Sequence, residues 1–242
     1  MLLDLSAPTV TECVRLPLAG GGLEGLLSYP AIGDAWSAVV VVGPHPLLGG
    51  DMHNNVVSAV GEHLAAAGCL TLRFNYQGVG DSTGERCDDP RRLDEFWTTS
   101  RLADESDRWR DLDAAVRFAR GAASSVPLAL VGYSFGCAVS CDWLDQGGRA
   151  ACLAAIAPTV ARHDYAPLER LTLPKLVLAA SNDFASGETA LVAAADRWCE
   201  PKECRLADLD DHFFRGCEPW LIENLLPFLQ RVSHEHSLDG GN

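Results

Sequence analysis

Gly132-Tyr133-Ser134-Phe135-Gly136 follows directly on the apolar run 127–131 and leads into residues 134–144, which read as a helix. A Gly-x-Ser-x-Gly turn between a strand and a helix forces its serine into a sharp, strained conformation that lifts the hydroxyl clear of the sheet. The two glycines let strand and helix cross without colliding side chains. Free N–H groups at the start of the helix favour negative charge developing beside Ser134. The chemistry this suits is nucleophilic attack on a carbonyl. The plainer alternative is a turn residue or a helix N-cap, and the presence or absence of partners for the serine separates the two.

A serine hydroxyl is a weak nucleophile: it needs a base to take its proton, and the base needs an acid to fix its tautomer. On a sheet of this kind the chain order is serine, acid, histidine. Asp183 lies in Ala180-Ser181-Asn182-Asp183, just past the strand-like run 175–180, and His212 lies in Asp211-His212-Phe213-Phe214-Arg215-Gly216, past a run ending near residue 207. Both sit beyond strand C-termini, where open α/β sheets build their sites. Asp208, Asp210 and Asp211 compete as acids, but they share a loop with the histidine and are poorly placed for its far nitrogen; a solvated acidic turn suits them better. Among the other histidines, His163, in a loop after a strand, competes as base. His53 precedes a helix cap, His63 lies on a helix face, and His234 and His236 are in the tail.

Acyl transfer also requires donors for an oxyanion. One is expected from the backbone N–H of Phe135, directly after the serine. The second is expected from Gly43-Pro44-His45-Pro46-Leu47-Leu48-Gly49-Gly50. Pro46 has no N–H, which leaves Leu47 as the candidate. His45 is expected to brace this loop by hydrogen bonding. His45, Tyr133 and Trp97 are the candidates for lining the substrate pocket; Phe135 either joins them or packs under the turn.

These residues need a frame that brings them together. Residues 14–19 and 23–29 read as two strands joined by Gly20-Gly21-Gly22, a hairpin signal. The β-branched run 38–43 has the look of a strand buried on both faces. Further strands are expected at 70–74, 127–131, 151–157, 175–180 and 203–207. Helices are expected at 54–67, 111–120, 134–144, 188–199 and 219–232. A hairpin followed by alternating strand and helix implies a mostly parallel, doubly covered sheet. The expectation is one α/β domain over 1–232, with 233–242 a disordered tail.

Composition narrows the function classes. The chain has 242 residues, 48% of them hydrophobic and 21% charged, enough to bury a sizeable core. A formal net charge of −14 without a basic block disfavours nucleic-acid and anionic-membrane partners. No apolar stretch exceeds strand length, and the first ten residues lack the pattern of a signal peptide. Nine cysteines without paired metal-ligand spacing read as reduced thiols, giving a cytoplasmic expectation. No cofactor or metal is called for, the expected partner is a small-molecule ester or thioester, and a homodimer stays open.

Four motifs in order carry a family resemblance: Pro44-His45-Pro46-Leu47-Leu48-Gly49-Gly50, the run from Leu72-Arg73-Phe74-Asn75-Tyr76-Gln77 to Gly78-Val79-Gly80-Asp81-Ser82, the Gly132 to Gly136 turn, and His212-Phe213-Phe214. Together they resemble the small bacterial α/β-hydrolases related to dienelactone hydrolases, over residues 14 to 230. The resemblance implies the α/β-hydrolase fold and carboxylic-ester hydrolysis, with Ser134, Asp183 and His212 as triad and Leu47 and Phe135 as oxyanion donors.

Two departures stand out. The resembled proteins usually carry Arg where this chain has Gln77, so a charged contact is expected to be missing. They also run quickly from the turn at Gly80–Gly84 to the next helix, whereas here residues 85–110 intervene, with Phe96, Trp97 and Trp109. A loop that long is usually functional or disordered, and its aromatics favour a segment that covers the substrate. The short span from Ser134 to Asp183 leaves no room for a helical lid. Thioester hydrolysis, amide hydrolysis and acyl transfer share the same triad chemistry. A ligand-binding protein that keeps the fold without turnover is the reading from a different class; an interaction protein with an acidic surface is the third.

Overall fold

The computed structural model describes residues 8–99 and 104–239. Residues 100–103 of the 85–110 segment and 240–242 of the expected tail lie outside them. Eight strands form one sheet: β1 (Thr9–Leu18), β2 (Gly21–Pro30), β3 (Ala38–Val42), β4 (Leu70–Phe74), β5 (Leu128–Tyr133), β6 (Cys152–Ile156), β7 (Lys175–Ala180) and β8 (Lys202–Ala207). Their order across the sheet is β1-β2-β4-β3-β5-β6-β7-β8. β1 and β2 form the antiparallel hairpin, β2 pairs antiparallel with β4, and every neighbouring pair from β4 to β8 is parallel.

Five consecutive apolar residues in β3 have no polar face because both sides of the strand are covered. Val39 and Val41 join a core with Val56, Val57 and Val60 of α1 (Asn55–Ala66) and Leu225 of α6 (Glu218–Asp239). Ala38, Val40 and Val42 face the other way, into a core with Leu112 of α3 (Trp109–Ala122), Val139 of α4 (Phe135–Asp145) and Leu191 of α5 (Glu188–Arg197). Each of the four fully buried valines contributes about 1.5–3 kcal/mol, and charge at any of the five positions would break one core or the other.

The chain runs from β3 through α1 to β4 on one side, then crosses back through α3 to β5 on the other side of β3. Strand order therefore reverses at β3, and the loops leaving β3 and β5 diverge there to open a crevice, where open α/β sheets place ligands. His45 lies on the first of those loops and Ser134 on the second.

Several elements differ from the sequence reading. Both hairpin strands start earlier than expected, β1 ends one residue sooner and β2 one residue later, and the chain turns at Gly20 (φ 82°). α6 continues to Asp239, past the expected end at 232 and through most of the expected tail. The 85–110 segment is not a plain loop. It contains the helix α2 (Pro90–Thr99) and a short 3-10 turn, Glu105–Asp107. Asp89 starts α2 by accepting the Arg91 N–H on its carboxylate at 2.9 Å, and Pro90 fits the first turn because its missing N–H would have been unpaired there.

The contact expected to be missing at Gln77 is supplied from elsewhere. Arg108 donates from Nη1 to the Gln77 carbonyl at 3.0 Å and to Asp111 Oδ2 at 3.3 Å. Its Nη2 donates to Asp104, which also accepts from Arg92. Gln77 itself donates to both oxygens of Asp111, through Nε2 at 2.7 Å and through its backbone N–H at 3.0 Å. A guanidinium thus sits beside Asp111 after all, delivered by the inserted segment rather than by position 77.

Candidate active site

Ser134 lies between β5 and α4, at the N-cap position of α4, with φ 54° and ψ −117°, a conformation that costs a non-glycine residue about 1–3 kcal/mol. The flanking glycines are there for space. A Cβ on Gly136 would lie 2.1 Å from the Val42 carbonyl oxygen, and one on Gly132 would lie 2.7 Å from that of Gly136. The second Gly-x-Ser-x-Gly, Gly80 to Gly84, behaves differently: Ser82 accepts the Glu24 N–H at 2.9 Å and donates to the Asn75 carbonyl at 2.8 Å, pinning the turn to β2.

Above Ser134 three side chains form a continuous relay. Ser134 Oγ and His212 Nε2 are 3.0 Å apart, and His212 Nδ1 lies 2.7 Å from Asp183 Oδ2. The other oxygen of Asp183 accepts the Ala185 N–H at 2.7 Å, which fixes the plane of the carboxylate. The partners assign the tautomer: Nδ1–H donates to Asp183 and Nε2 accepts from the serine hydroxyl. All three residues are 9% exposed or less. Each follows a strand C-terminus, of β5, β7 and β8 respectively.

Two of the acids that compete in the sequence, and the competing histidine, have other partners. Asp211 accepts the N–H groups of Phe213 and Arg215, and Asp210 accepts from Asn182. His163 lies in the wall of the cavity with Nδ1 2.8 Å from Thr159 Oγ1.

A cavity of about 390 Å³ opens over Ser134. Its walls are largely rings: Phe96 and Trp97 from α2, Tyr133 and Phe135 beside the serine, and Phe184 and Phe213 from the loops that carry Asp183 and His212. Trp97 is 72% exposed and stands edge-on to Phe96, 5.6 Å away, so it forms rim rather than floor. Tyr133 is buried, stacks on His212 at 5.8 Å and donates its hydroxyl to the His212 carbonyl at 3.2 Å. Burial pushes that phenol well above its ordinary pKa, with the charge of Asp183 adding to the rise, so it stays a donor. Its position braces the histidine as well as contributing a wall.

His45 also reaches the cavity, and its polar atoms are taken. Nδ1 accepts the Leu47 N–H at 3.2 Å, Nε2 lies 2.9 Å from Glu105 Oε1, and the carbonyl accepts from Leu48 and Gly50. The amide of Leu47 is therefore directed at the His45 ring within the 3-10 turn Pro46–Leu48. Residue types and spacing pointed to Leu47 by elimination of Pro46; they held no sign of Glu105, which lies 60 positions further along the chain. Phe96 and Phe184 were likewise not singled out from sequence as pocket residues. For Phe96 a signal existed, since Leu93, Phe96 and Trp97 have helical spacing after Asp89-Pro90.

From β5 to β7 the chain passes through α4, β6 and the 3-10 turn Ala166–Glu169, and no helical lid intervenes. Among the described residues no helix is long and apolar enough to cross a membrane, and no group of three or more His, Cys, Asp or Glu is placed to hold a metal ion.

Residues 37–185 match the family described as serine aminopeptidase, S33. An alpha-beta serine hydrolase homologue from Coxiella burnetii is 27% identical, with 88% of this chain and 94% of that one covered and a TM-score of 0.74. An α/β serine hydrolase without a lid from Xanthomonas campestris is 23% identical, covering 93% and 95%, with a TM-score of 0.76. An uncharacterised protein of Rickettsia prowazekii is 25% identical over 203 residues, 81% of this chain and 79% of that protein. The fold is that of the α/β-hydrolases, of the lidless serine-hydrolase type.

Proposed function

The chain belongs to the family described as serine aminopeptidase, S33, and from that premise we propose that it is a serine hydrolase cleaving a carboxylic ester of a small or medium, uncharged acyl group. The observation that carries this reading is the buried relay from Ser134 through His212 to Asp183, opening onto an aromatic-walled cavity.

In this mechanism His212 takes the Ser134 proton as Oγ attacks the carbonyl carbon. Asp183 holds the ring in the accepting tautomer and stabilises the imidazolium that forms. The carbonyl oxygen gains negative charge and is held by the Phe135 N–H, with the Leu47 N–H, shared with His45 Nδ1 in a three-centre bond, as second donor. His212 then gives its proton to the departing alkoxide, leaving an acyl ester on Ser134. Water repeats the sequence, losing a proton to His212 and releasing the acid.

The family's description favours a second reading, removal of an N-terminal residue from a peptide. Such a substrate presents an ammonium group, which calls for a free carboxylate near the serine. Among the described residues lining the cavity Glu105 is the one acid, and it lies against His45. That favours esters. A matched panel of p-nitrophenyl esters, acyl thioesters and aminoacyl p-nitroanilides, with acyl chains from two to twelve carbons, tests the choice. The expected result is fastest turnover of uncharged esters with an optimum at short or medium length. Aminoacyl anilides turned over faster than any ester would overturn it.

A further inference from the structure

The described residues contain a second imidazole–carboxylate pair, built like the first and aimed at a different hydrogen. In His212 the carboxylate of Asp183 engages Nδ1 and leaves Nε2 to accept from a hydroxyl. In His45 the carboxylate of Glu105 engages Nε2, at 2.9 Å, and leaves Nδ1 to accept the Leu47 amide, at 3.2 Å. Nδ1 can accept only if it carries a lone pair, so the ring is the Nε2–H tautomer, and the acceptor on Nε2–H is what selects that tautomer.

The two halves of this second pair come from different parts of the chain. His45 lies in the loop after β3, and Glu105 lies in the inserted segment between β4 and α3. The His45 side chain is buried and that of Glu105 partly so, at 7% and 11% exposure. Phe96 of α2 and Phe135 beside the nucleophile flank the His45 ring, with centroids 4.8 and 5.0 Å away. The inserted segment is fixed in turn by Arg108, which ties Asp104 to Asp111 and Gln77. An unbroken chain of contacts thus runs from the core at Asp111, through the segment, to the amide of Leu47.

We propose that Glu105 is a positioning residue for the oxyanion loop, acting through His45 to hold the Leu47 N–H behind the stretch of wall formed by Pro44, His45 and Leu48. This rests on the serine hydrolase reading above. Without an acceptor on Nε2, the His45 ring interchanges tautomers or turns. The Nδ1–H tautomer then presents N–H to N–H at Leu47 and a turned ring presents C–H there, and neither holds the amide. The loss falls on the step in which negative charge develops on the carbonyl oxygen, and so on kcat rather than on ground-state binding.

The test uses p-nitrophenyl acetate, whose acyl group is too small to need the aromatic rim, with Glu105→Ala, Glu105→Gln and the wild-type chain side by side. Glu105→Ala is expected to lower kcat about tenfold, below the 10²–10³ of a lost oxyanion donor, with KM within about twofold. Glu105→Gln keeps an oxygen to accept Nε2–H and is expected to retain kcat within about threefold. Unchanged kcat in Glu105→Ala overturns the proposal, as does a loss in Glu105→Gln as large as that in Glu105→Ala, or a change confined to KM. A wild-type chain without turnover of any ester would instead overturn the hydrolase reading.

Discussion

His212 Nδ1 donates to Asp183 Oδ2 at 2.7 Å, while the other oxygen of the same carboxylate takes the N–H of Ala185 at an equal distance. The acid is therefore held from both sides and cannot rotate away from the ring. Asp183→Asn keeps the shape but can offer Nδ1 a donor in place of an acceptor, which turns the imidazole to the wrong tautomer. A loss of about 10³–10⁴-fold in kcat is expected, with little change in thermal stability. Steady-state kinetics beside a melting curve measures both. A loss under tenfold would mean that Asp183 does not orient the base.

Ser134 holds a positive φ of 54° that glycine would hold without strain. Ser134→Gly should therefore be inactive and yet more stable, by about 1 kcal/mol after the extra chain entropy of glycine is subtracted. For a chain of this size that is about 2–4 °C in Tm. A Tm unchanged or lowered would show the turn to be unstrained. Gly136→Ala, whose Cβ would meet the Val42 carbonyl at 2.1 Å, should fail to fold or lose several kcal/mol.

Asp111 is fully buried, and burial pushes its carboxyl above the usual range more than Gln77 and Arg108 pull it down. Arg108→Gln removes the cation beside it and should cost about 3–5 kcal/mol. Adding Gln77→Arg in the same chain returns a guanidinium from the neighbouring loop and should recover at least half of the loss. Urea unfolding of the single and double variants checks this. Additive losses would show that position 77 cannot substitute for 108.

The Asp142 carboxyl is pushed up to about 6 by burial, with the charges of Asp145 and Asp164 adding to the rise. Its ordinary value is 3.8. Between those values the folded chain keeps a proton that the unfolded chain has released. Stability from this group is thus full below about pH 4 and lost as pH passes about 6. Asp142→Asn removes the penalty. Because the group is partly exposed, the gain at pH 7 is set at about 1 kcal/mol, shrinking to nothing at pH 4. Unfolding midpoints for both chains at the two pH values decide it; an equal gain at both would contradict the titration.

Features fixed by local pattern or chain order were legible in the sequence. The unbroken apolar, mostly β-branched run of β3 announced burial on both faces, and the bounds of β4 and β7 are those expected from the sequence. That Ser134, Asp183 and His212 come within hydrogen-bonding distance was legible because their chain order and their places after strands bring them to one end of the sheet. Relationships across long separations were not. Nothing near Glu105 points to His45, and nothing near Arg108 says that it makes good the missing cation at Gln77. α2 was readable from Asp89-Pro90 and the spacing of Leu93, Phe96 and Trp97, but the polar residues between them obscured the pattern. α6 outran its expected end because helical hydrogen bonding continues past the last apolar positions into a polar stretch.

The most direct measurement is turnover of p-nitrophenyl butyrate by the wild-type chain and Ser134→Ala, with intact mass recorded after each is treated with a fluorophosphonate. The account predicts turnover by the wild type, a loss of at least about 10³-fold in the variant, and addition of one phosphonyl group to the wild type alone. A wild-type chain that neither turns over the ester nor gains the phosphonyl mass, or a Ser134→Ala chain that does both as well as the wild type, would contradict it.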